Sequence, residues 1–387
     1  MKKSLLALAV FGAFSGAAFA QSNVQLYGII DLGVTHFTGL KPASGTGTVS
    51  STGLSSGVQS GSRIGVKGTE DLGGGLKAFF TAETGFCAAG TNQDTYTVGA
   101  AGTPGAPGSQ TFCTGGGFMQ RQAFAGLAGS FGSLSLGRQY TPIFMNEANM
   151  DPFGFGLTGD IANLSLVGRY GLYRANQSVA YVTPDMSGFK GTVAYSFAPG
   201  NPGTVPTASG AGSNVSRGIS LNGQYGNGPI TAGLNYSQIT NLYLNPTTGV
   251  NDGKLKGWQL YGAYDFGVAK VSGVYEDAKQ DYYSGDQKFW MLGATVPVGP
   301  GAILVSYSQL KNSLVPQGST APAAGTAKQY AIGYTYSLSK RTNLYTSYAH
   351  ISNDVGTAFA VGSSTDSFAG VAGQGSSGFA LGIRHQF

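Results

Sequence analysis

The chain has 387 residues, only 10% of them charged and 12% aromatic, with a formal net charge of +5. A soluble domain carries about 25% charged residues, so this composition disfavours an ordinary water-exposed surface. The weak positive charge argues against nucleic acid as a partner, the glycines follow no G-X-Y period, and no apolar run is long enough to form a spanning helix.

The N-terminus has the pattern of a secretory signal peptide. Lys2 and Lys3 precede an apolar centre from Leu5 to Phe14, and Ala18-Phe19-Ala20 is a small-residue cleavage site. A membrane anchor is disfavoured because the apolar centre is short. We therefore expect residues 1–20 to be cleaved and residues 21–387 to form one domain.

From residue 23 onward, apolar residues alternate with polar or small ones in stretches of about ten, which suits a tilted transmembrane β-strand. Leu26 and Val34 share one face of the first stretch, and Tyr27 and Asp31 share the other. The last ten residues, Gly378 to Phe387, alternate in the same way. About sixteen strands are predicted, near 23–37, 60–69, 75–86, 118–129, 131–140, 169–183, 189–198, 217–227, 229–239, 254–265, 267–278, 286–297, 300–310, 328–338, 342–351 and 376–387.

The connections between these strands alternate in length. Short turns such as 71–74 and 129–131 are followed by long polar loops such as 38–59 and 141–168. Outer-membrane barrels have short periplasmic turns and long extracellular loops. The sequence therefore predicts an all-β fold, a 16-stranded antiparallel transmembrane β-barrel without a free edge.

Charged residues of the predicted strands fall on the polar face. Arg63, Lys67, Lys77, Glu83 and Arg384 all do so. An Arg or Lys facing lipid at mid-depth costs about 2–4 kcal/mol, so these side chains should face the interior. A barrel of this size with a charged interior encloses water, which predicts a pore.

The two cysteines, Cys87 and Cys113, lie in a stretch of Gly, Thr, Ala and Pro that is typical of a loop. An exported chain meets an oxidising compartment, so we expect them to form a disulfide. A metal site is disfavoured because two cysteines without a nearby histidine do not complete one. No cofactor is expected.

Several stretches resemble the general diffusion porins of Gram-negative outer membranes, particularly the β-proteobacterial type, and the resemblance covers the whole mature chain. The matching stretches are Val24–Gly28, Ser62–Gly73, Arg121–Leu127, Leu136–Tyr140 and the terminal Phe387. The resemblance implies a homotrimer of sixteen-stranded barrels. It also implies that Phe387 belongs to the signal read by the barrel-assembly machinery.

The resemblance further implies that the third long loop, roughly Thr141 to Leu166, folds inward and narrows the pore opposite a cluster of arginines. Asp151-Pro152-Phe153-Gly154 is similar to the family's loop tip but departs from its Pro-Glu-Phe-Gly-Gly pattern. Three acidic residues are candidates for the negative side of the constriction: Glu147, Asp151 and Asp160.

On the opposing wall, the family motif corresponds to Arg63 and Arg121. Arg169 matches the start of the sixth strand and is the third candidate, with Arg174 as an alternative, while Arg138 has either a structural or a functional role. Arginines in a polar lumen favour anions. The other interpretation, that they only pair with loop carboxylates and hold the loop, stays open.

The sequence therefore predicts a channel for passive diffusion of small solutes and anions, in contact with outer-membrane lipid and lipopolysaccharide. An enzyme is disfavoured because His36, His350 and His385 accompany no nucleophile motif. A substrate-specific channel with an aromatic lining, for a sugar or an organic acid, is an alternative. A surface adhesin that uses the long loops is a further one.

Overall fold

The computed structural model describes residues 23–89, 118–199, 217–244, 251–316 and 324–387. The expected signal peptide, residues 1–20, and Cys113 lie outside the described residues. Cys87 lies within them, and no cysteine among the described residues is a free thiol. The Cys87–Cys113 disulfide stays a prediction.

The alternating stretches form strands, and the described helices all lie between β6 and β7. The strands are β1 (Asn23–Leu40), β2 (Val49–Ser56), β3 (Arg63–Gly73), β4 (Leu76–Gly85), β5 (Gln122–Gly129), β6 (Gly132–Tyr140), β7 (Arg174–Val182), β8 (Phe189–Pro199), β9 (Arg217–Asn227), β10 (Ile230–Leu244), β11 (Asn251–Asp265), β12 (Lys270–Gln280), β13 (Tyr283–Ser284), β14 (Gln287–Val298), β15 (Gly301–Asn312), β16 (Val315–Pro316), β17 (Gly325–Ser337), β18 (Thr342–Asn353) and β19 (Ser376–Gln386). The helices are α1 (Pro142–Met150), a 3-10 turn (Ile161–Asn163) and α2 (Leu166–Tyr170).

The sheet closes on itself where the last strand meets the first. β19 pairs antiparallel with β1, with Ile29 opposite Gln386 and Thr38 opposite Ser377. The seam ends in two backbone hydrogen bonds between Gly28 and Phe387, at 3.0 and 3.1 Å. Seventeen strands belong to this sheet, and since β2 and β3 are two pieces of one barrel strand, the barrel has sixteen. The predicted fold class is confirmed.

The second barrel strand differs from the prediction, which assigned 38–59 to a loop. β2 pairs with the C-terminal half of β1, and β3 pairs with its N-terminal half. The hydrophobic pattern missed β2 because the segment is rich in Ser and Thr. Backbone pairing with β1 stabilises this strand instead, together with a 2.9 Å hydrogen bond between the Thr35 and Ser55 hydroxyls inside the barrel.

The outward face of the barrel is apolar, as the alternation predicts. Leu26, Leu260, Leu292 and Leu381 are each more than half exposed on this face. Exposed leucines in such numbers suit contact with lipid. Among the described residues, no helix is long and apolar enough to cross a membrane.

The third loop, residues 141–173, folds into the barrel. Ser272 on the inner wall donates to the carbonyl of Met150 at 2.5 Å, and the Thr158 hydroxyl donates to Ser347 at 2.9 Å. Close approach requires glycine at two wall positions. A Cβ at Gly293 would lie 2.4 Å from Pro152, and one at Gly333 would lie 3.0 Å from Phe153.

Buried apolar side chains hold this loop against one side of the lumen. Leu157, Ile161, Leu164 and Leu166 are at most 1% exposed, and such burial contributes about 1.5–3 kcal/mol per side chain. The inward positions of β11, β12, β14, β15 and β18 that join the same cluster are Leu255, Val274, Phe289, Met291, Leu310 and Ile351. Apolar packing thus joins the loop to the wall, beside the hydrogen bonds that Ser272 and Ser347 make with it.

The predicted strand at 169–183 begins five residues later than expected, at Arg174. Residues 166–170 form α2 instead, because the Ser165 side chain accepts from the Gly168 N–H at the N-terminus of the helix. Gly171 ends the helix with a φ of 65°, a conformation that favours glycine. The expectation that Arg169 stands on a strand is wrong.

Candidate pore constriction

A charged cluster on the inner wall is centred on Glu83 of β4. Arg121 donates from Nε to Glu83 Oε1 at 2.7 Å, and Arg63 Nε lies 3.7 Å from Oε2. The Tyr27 hydroxyl donates to Oε2 at 3.0 Å. The cluster forms because β1, β3 and β4 are neighbours, and Arg121 directly precedes β5.

Tyr140, at the end of β6, connects this cluster to a further arginine. Arg121 Nη2 donates to the Tyr140 hydroxyl at 2.9 Å. The guanidinium carbon of Arg174 lies 4.9 Å from the centroid of the Tyr140 ring, a cation–π distance. Guanidinium groups stay protonated in proteins, so three arginines and one carboxylate leave a net charge of +2 on the wall.

Asp151, at the loop tip, is used to fold the loop itself. Its carboxylate accepts three backbone N–H groups: those of Phe153 at 3.0 Å, Phe155 at 3.0 Å and Ile161 at 3.2 Å. Burial nevertheless raises the pKa of Asp151 to about 6. These three hydrogen bonds thus fix the backbone conformation of the loop tip.

Asp160 has a comparable structural role. Its carboxylate accepts from the Ala162 N–H at 2.8 Å and so caps the 3-10 turn. Burial raises the pKa of Asp160 well above its usual value, and the charge of Asp151 raises it further.

Glu147, on α1, lies beside a second carboxylate on the barrel wall, that of Glu276 in β12. Gln259 donates from Nε2 to both, at 3.4 Å to Glu147 and 2.9 Å to Glu276. Glu276 also accepts from the Leu166 N–H at 2.8 Å. Burial, and then the neighbouring Glu276, raise the pKa of Glu147 well above its usual value.

Aromatic rings fasten the loop to the wall beside the cluster. Phe144 of α1 packs on Tyr140 with ring centroids 4.7 Å apart and on Phe155 at 4.8 Å. Tyr173, where the loop ends, lies 5.6 Å from Phe155. Aromatic side chains from the start, the tip and the end of the loop thus form one cluster.

A cavity of about 480 Å³ opens next to the charged cluster, towards the end of the barrel that carries the C-terminus. Tyr27, Arg63, Glu83 and Tyr140 line it, together with Gln386 near the closing seam. Arg63 and Glu83 therefore border open space inside the barrel.

The barrel fold agrees with the comparisons with known proteins. The chain matches the model of the Gram-negative porin family over residues 6–356. It belongs to that family. It is 31% identical to an outer membrane porin of Bordetella pertussis and 32% identical to outer membrane porin protein 32 of Delftia acidovorans, in both cases over 100% of each chain. An anion-selective porin from Comamonas acidovorans shares the fold with a TM-score of 0.72 at 29% identity, over 95% of this chain and 100% of that one.

Family membership makes this porin a channel of the Gram-negative outer membrane and not an enzyme, as expected. Its three histidines take part in side-chain contacts: His36 with Thr52 at 2.6 Å, His350 with Ser377 at 2.8 Å and His385 with Thr342 at 2.9 Å.

In this porin, Arg169 does not join the wall cluster that contains Arg174. Arg169 is only 5% exposed and donates from Nη1 to the carbonyl of Leu164 within the loop. Its guanidinium lies 5.8 Å from the Tyr170 ring. These contacts hold α2 in place.

Arg138 also makes structural contacts. It donates from Nε to the carbonyl of Gln120 at 2.5 Å and from Nη1 to the Asn176 side chain. The register between β6 and β7 shifts at this point, between Gly137 and Gln139. Arg138 therefore supports an irregular part of the sheet.

Sequence reasoning did not assign Glu83, Tyr140 or Glu276 to the site. The alternation predicts that Glu83 faces inward. It does not show which strands are neighbours, and only the pairing of β3 with β4 places Arg63 two residues from the position opposite Glu83. Glu276 could have been found, because it is the one acidic residue on the inward phase of β12.

Proposed function

We propose that this porin is a general diffusion channel for small hydrophilic solutes and ions that prefers anions. The observation that carries the proposal is the wall cluster of Arg63, Arg121 and Arg174, in which Glu83 contacts two arginines. A water-filled passage lined by an excess of guanidinium groups attracts anions and repels cations.

Within the cluster, Arg63 is the group most open to the lumen. Its side chain is 22% exposed, against 5% for Arg121. A passing anion would thus meet Arg63 directly, while the more buried Arg121 and Arg174 add to the field. Arg63, Arg121 and Arg174 are accordingly the proposed positive side of the constriction.

The loop carboxyls oppose this preference only weakly. Glu147, Asp151 and Asp160 are 0%, 6% and 2% exposed and make contacts within the loop or with the wall behind it. Their raised pKa values mean that they keep protons to a higher pH than exposed carboxyls do. The loop therefore narrows the lumen more than it makes it negative.

A substrate-specific channel has less support. Tyrosines do face the lumen, but their hydroxyls are engaged by the wall: Tyr27 bonds Glu83, Tyr345 bonds Asp31 at 2.6 Å and Tyr261 bonds Asn222 at 3.1 Å. A continuous aromatic track for a sugar needs free ring faces along the passage. The porin from Comamonas acidovorans, 29% identical, is described as anion-selective, which favours the interpretation that this porin prefers anions.

We also propose that the barrel is one subunit of a homotrimer. An outward ring of aromatic residues follows the extracellular edge of the barrel from β8 to β19: Tyr195, Tyr236, Trp258, Tyr275, Trp290, Tyr307, Tyr330, Tyr348 and Phe379. On the next strands round the barrel, the outward positions that continue from Phe379 are His36 of β1 and Thr52 of β2 instead. Aromatic girdles mark lipid contact, so the gap supports burial of that face against other copies.

Two processing steps complete the proposal. Residues 1–20 are the export signal, removed before Gln21, and Phe387 forms part of the signal for barrel assembly. The position of Phe387 at the closing seam with Gly28 supports a role in the last step of closure.

Swelling of proteoliposomes tests the diffusion proposal. Neutral, anionic and cationic solutes of matched size should all enter, in the order anion, neutral, cation. The variant Arg63→Gln should reduce entry of the anion relative to the neutral solute by about fivefold, since one charge at 4 Å in water contributes about 1 kcal/mol. Lys256→Gln is the matched control, because this lysine is exposed on the outward face of β11. Entry of one solute class alone, or block by one sugar at low concentration, would instead indicate a specific channel.

A further inference from the structure

The second barrel strand is interrupted between β2 and β3, and the six residues of the interruption, 57–62, leave the sheet. β1 runs past them without a break: Ser56 pairs with its Leu32, and Arg63 pairs with its Ile29. Six residues therefore stand opposite only two of β1, and the extra chain must bend out of the plane of the sheet. We call residues 57–62 the inner turn.

Asp31 of β1 holds the inner turn in place. One oxygen of its carboxylate, Oδ2, accepts from the backbone N–H groups of Gln59 at 2.8 Å and Ser60 at 2.6 Å. The other oxygen, Oδ1, accepts from the Tyr345 hydroxyl at 2.6 Å. Asp31 is fully buried, so a passing ion does not contact it. Its carboxylate thus acts on the channel through the turn that it holds.

One end of the inner turn contacts the tip of the third loop. The Leu157 N–H donates to the carbonyl of Val58 at 2.7 Å, and both residues are fully buried. Gly156 packs so closely on the turn that a Cβ would have no room against the carbonyl oxygen of Gln59. The loop tip, which β18 holds through Ser347, is therefore held by the inner turn as well.

The other end of the inner turn contacts the wall cluster. Gly61 lies against Arg121, where a Cβ would come within 2.9 Å of Nη1. Between the two ends, the Ser60 hydroxyl accepts from Arg384 Nη1 at 3.2 Å. These partners belong to the inner wall of the barrel. The inner turn therefore lies inside the lumen and connects the wall cluster to the third loop.

The inner turn gives the constriction a third side. The wall cluster and the third loop form the other two, and they meet at the root of the loop, where Phe144 packs on Tyr140. At the loop tip, the inner turn spans the distance from Leu157 to Arg121. The width of the passage then depends on where the turn lies, and the position of the turn depends on Asp31.

We propose that the inner turn sets the width of the constriction and that Asp31 is its positioning residue. This role rests on the proposed function as a diffusion channel, but not on the preference for anions. Without the Asp31 carboxylate, the N–H groups of the turn lose a charged acceptor, which is a stronger hydrogen-bond partner than a neutral one. The turn then moves away from the loop tip, and larger solutes pass.

Swelling of proteoliposomes with neutral solutes of increasing size tests this role, because neutral solutes respond to the width of the passage and not to its charge. Asp31→Asn keeps the shape of the side chain but replaces one acceptor oxygen by an NH2 donor. The entry rate of the larger solutes relative to the smallest should rise in this variant. Tyr345→Phe leaves every charge in place and should raise the same ratio by less, since Asp31 keeps its hydrogen bonds to the turn.

Hydrogen exchange shows where the structure has changed. The N–H groups of Gln59 and Ser60 should exchange about fivefold faster or more in Asp31→Asn, because a hydrogen bond to a neutral oxygen is weaker than one to a carboxylate. The N–H group of Leu157 should also exchange faster, because its acceptor Val58 belongs to the turn.

Ser237→Ala is the matched control, since its hydroxyl bonds Ser220 at 3.0 Å and the Asn235 side chain at 2.9 Å on the inner wall of β9 and β10. It should change neither measurement. Unchanged entry of larger solutes in the folded Asp31→Asn and Tyr345→Phe channels, or an equal rise in the control, would overturn the proposal. A higher anion preference with unchanged entry of neutral solutes would assign Asp31 an effect of charge alone and would also overturn it.

Failure of the proposed anion preference gives a different result. The unmodified channel would then prefer cations in a salt gradient, while larger neutral solutes would still enter faster through Asp31→Asn than through the unmodified channel. The two proposals are therefore tested separately.

Discussion

Glu83 contacts two arginines at once: Arg121 donates to one oxygen of its carboxylate at 2.7 Å, and Arg63 Nε lies 3.7 Å from the other. Glu83 and Arg121 are both nearly buried, with side chains 4% and 5% exposed. The carboxylate thus holds the wall together and reduces its positive charge. Replacing Glu83 should therefore have two effects, one on the stability of the barrel and one on the ion selectivity of the channel.

Replacing Glu83 by Gln should increase the preference for anions and lower stability. The change leaves the guanidinium groups without the carboxylate between them, and the loss of one partner from a buried ion pair costs about 3–5 kcal/mol. Reversal potentials measure the first effect, and urea unfolding measures the second. The matched control is Asp185→Asn, because Asp185 pairs with Lys190 at 3.3 Å with more than half its side chain exposed, and water screens such an exposed pair, so its loss should leave stability nearly unchanged. A shift towards cations in Glu83→Gln would contradict the assignment.

Acidification should increase the anion preference through Asp151. Its pKa is raised from 3.8 to about 6, so it gains a proton as the pH falls from about 7.5 to about 5 and the loop loses negative charge. Single-channel reversal potentials across that range should show a step near pH 6 that is absent in Asp151→Asn. A step that persists in the variant would assign it to another group.

The same raised pKa has a consequence for loop stability. Because the folded loop binds the proton more tightly than the unfolded chain does, the contribution of Asp151 is complete below its unfolded pKa of 3.8 and is lost as the pH rises through about 6. Hydrogen exchange at the N–H groups of Phe153, Phe155 and Ile161 should therefore show stronger protection at pH 5 than at pH 7.5, after correction for intrinsic rates. Equal protection would contradict the burial of this carboxyl.

Gly28→Val should impair closure of the barrel. A Cβ at this position would lie 2.3 Å from the Phe387 ring and 2.8 Å from the Arg63 carbonyl, so the ring must move and the seam must open. The fraction of heat-resistant folded barrel on electrophoresis should fall. Gly223→Ala is the control, since a Cβ there meets nothing within 4 Å. Equal folding of Gly28→Val and the unmodified chain would remove the role of this contact.

The Cys87–Cys113 disulfide is a prediction that mass spectrometry under non-reducing conditions decides. A peptide that joins the two cysteines and separates on reduction is the expected result. In the chain-entropy model, closure of such a loop contributes on the order of 3.5 kcal/mol. Cys87→Ser should lower the free energy of unfolding by up to that value. Two free thiols in the exported protein would refute the bond.

Much of the barrel could be predicted from the sequence because a strand between lipid and water must alternate. The terminal strand is an example: Phe379, Leu381 and Ile383 are exposed outward, and Arg384 bonds Asn343 and Ser60 inside. β2 was missed because its Ser-rich residues have no apolar phase, and only its pairing with β1 reveals it.

The candidate site was predictable only in part. Arg63 and Arg121 followed from motifs, but the choice between Arg169 and Arg174 depends on where a helix ends. Ser165 begins that helix and Gly171 ends it before the strand begins, and this leaves Arg174 beside Tyr140. The loop carboxyls could be named but not oriented, since the backbone N–H groups that they accept come from the folded loop itself.

The anion preference is tested most directly by the reversal potential of single channels of the unmodified protein in a planar bilayer with a tenfold gradient of potassium chloride. We predict a potential of the sign set by chloride permeation, reduced in Arg63→Gln and increased in Glu83→Gln. A potential of the sign set by potassium, or one that neither variant changes, would contradict the role of the arginine wall.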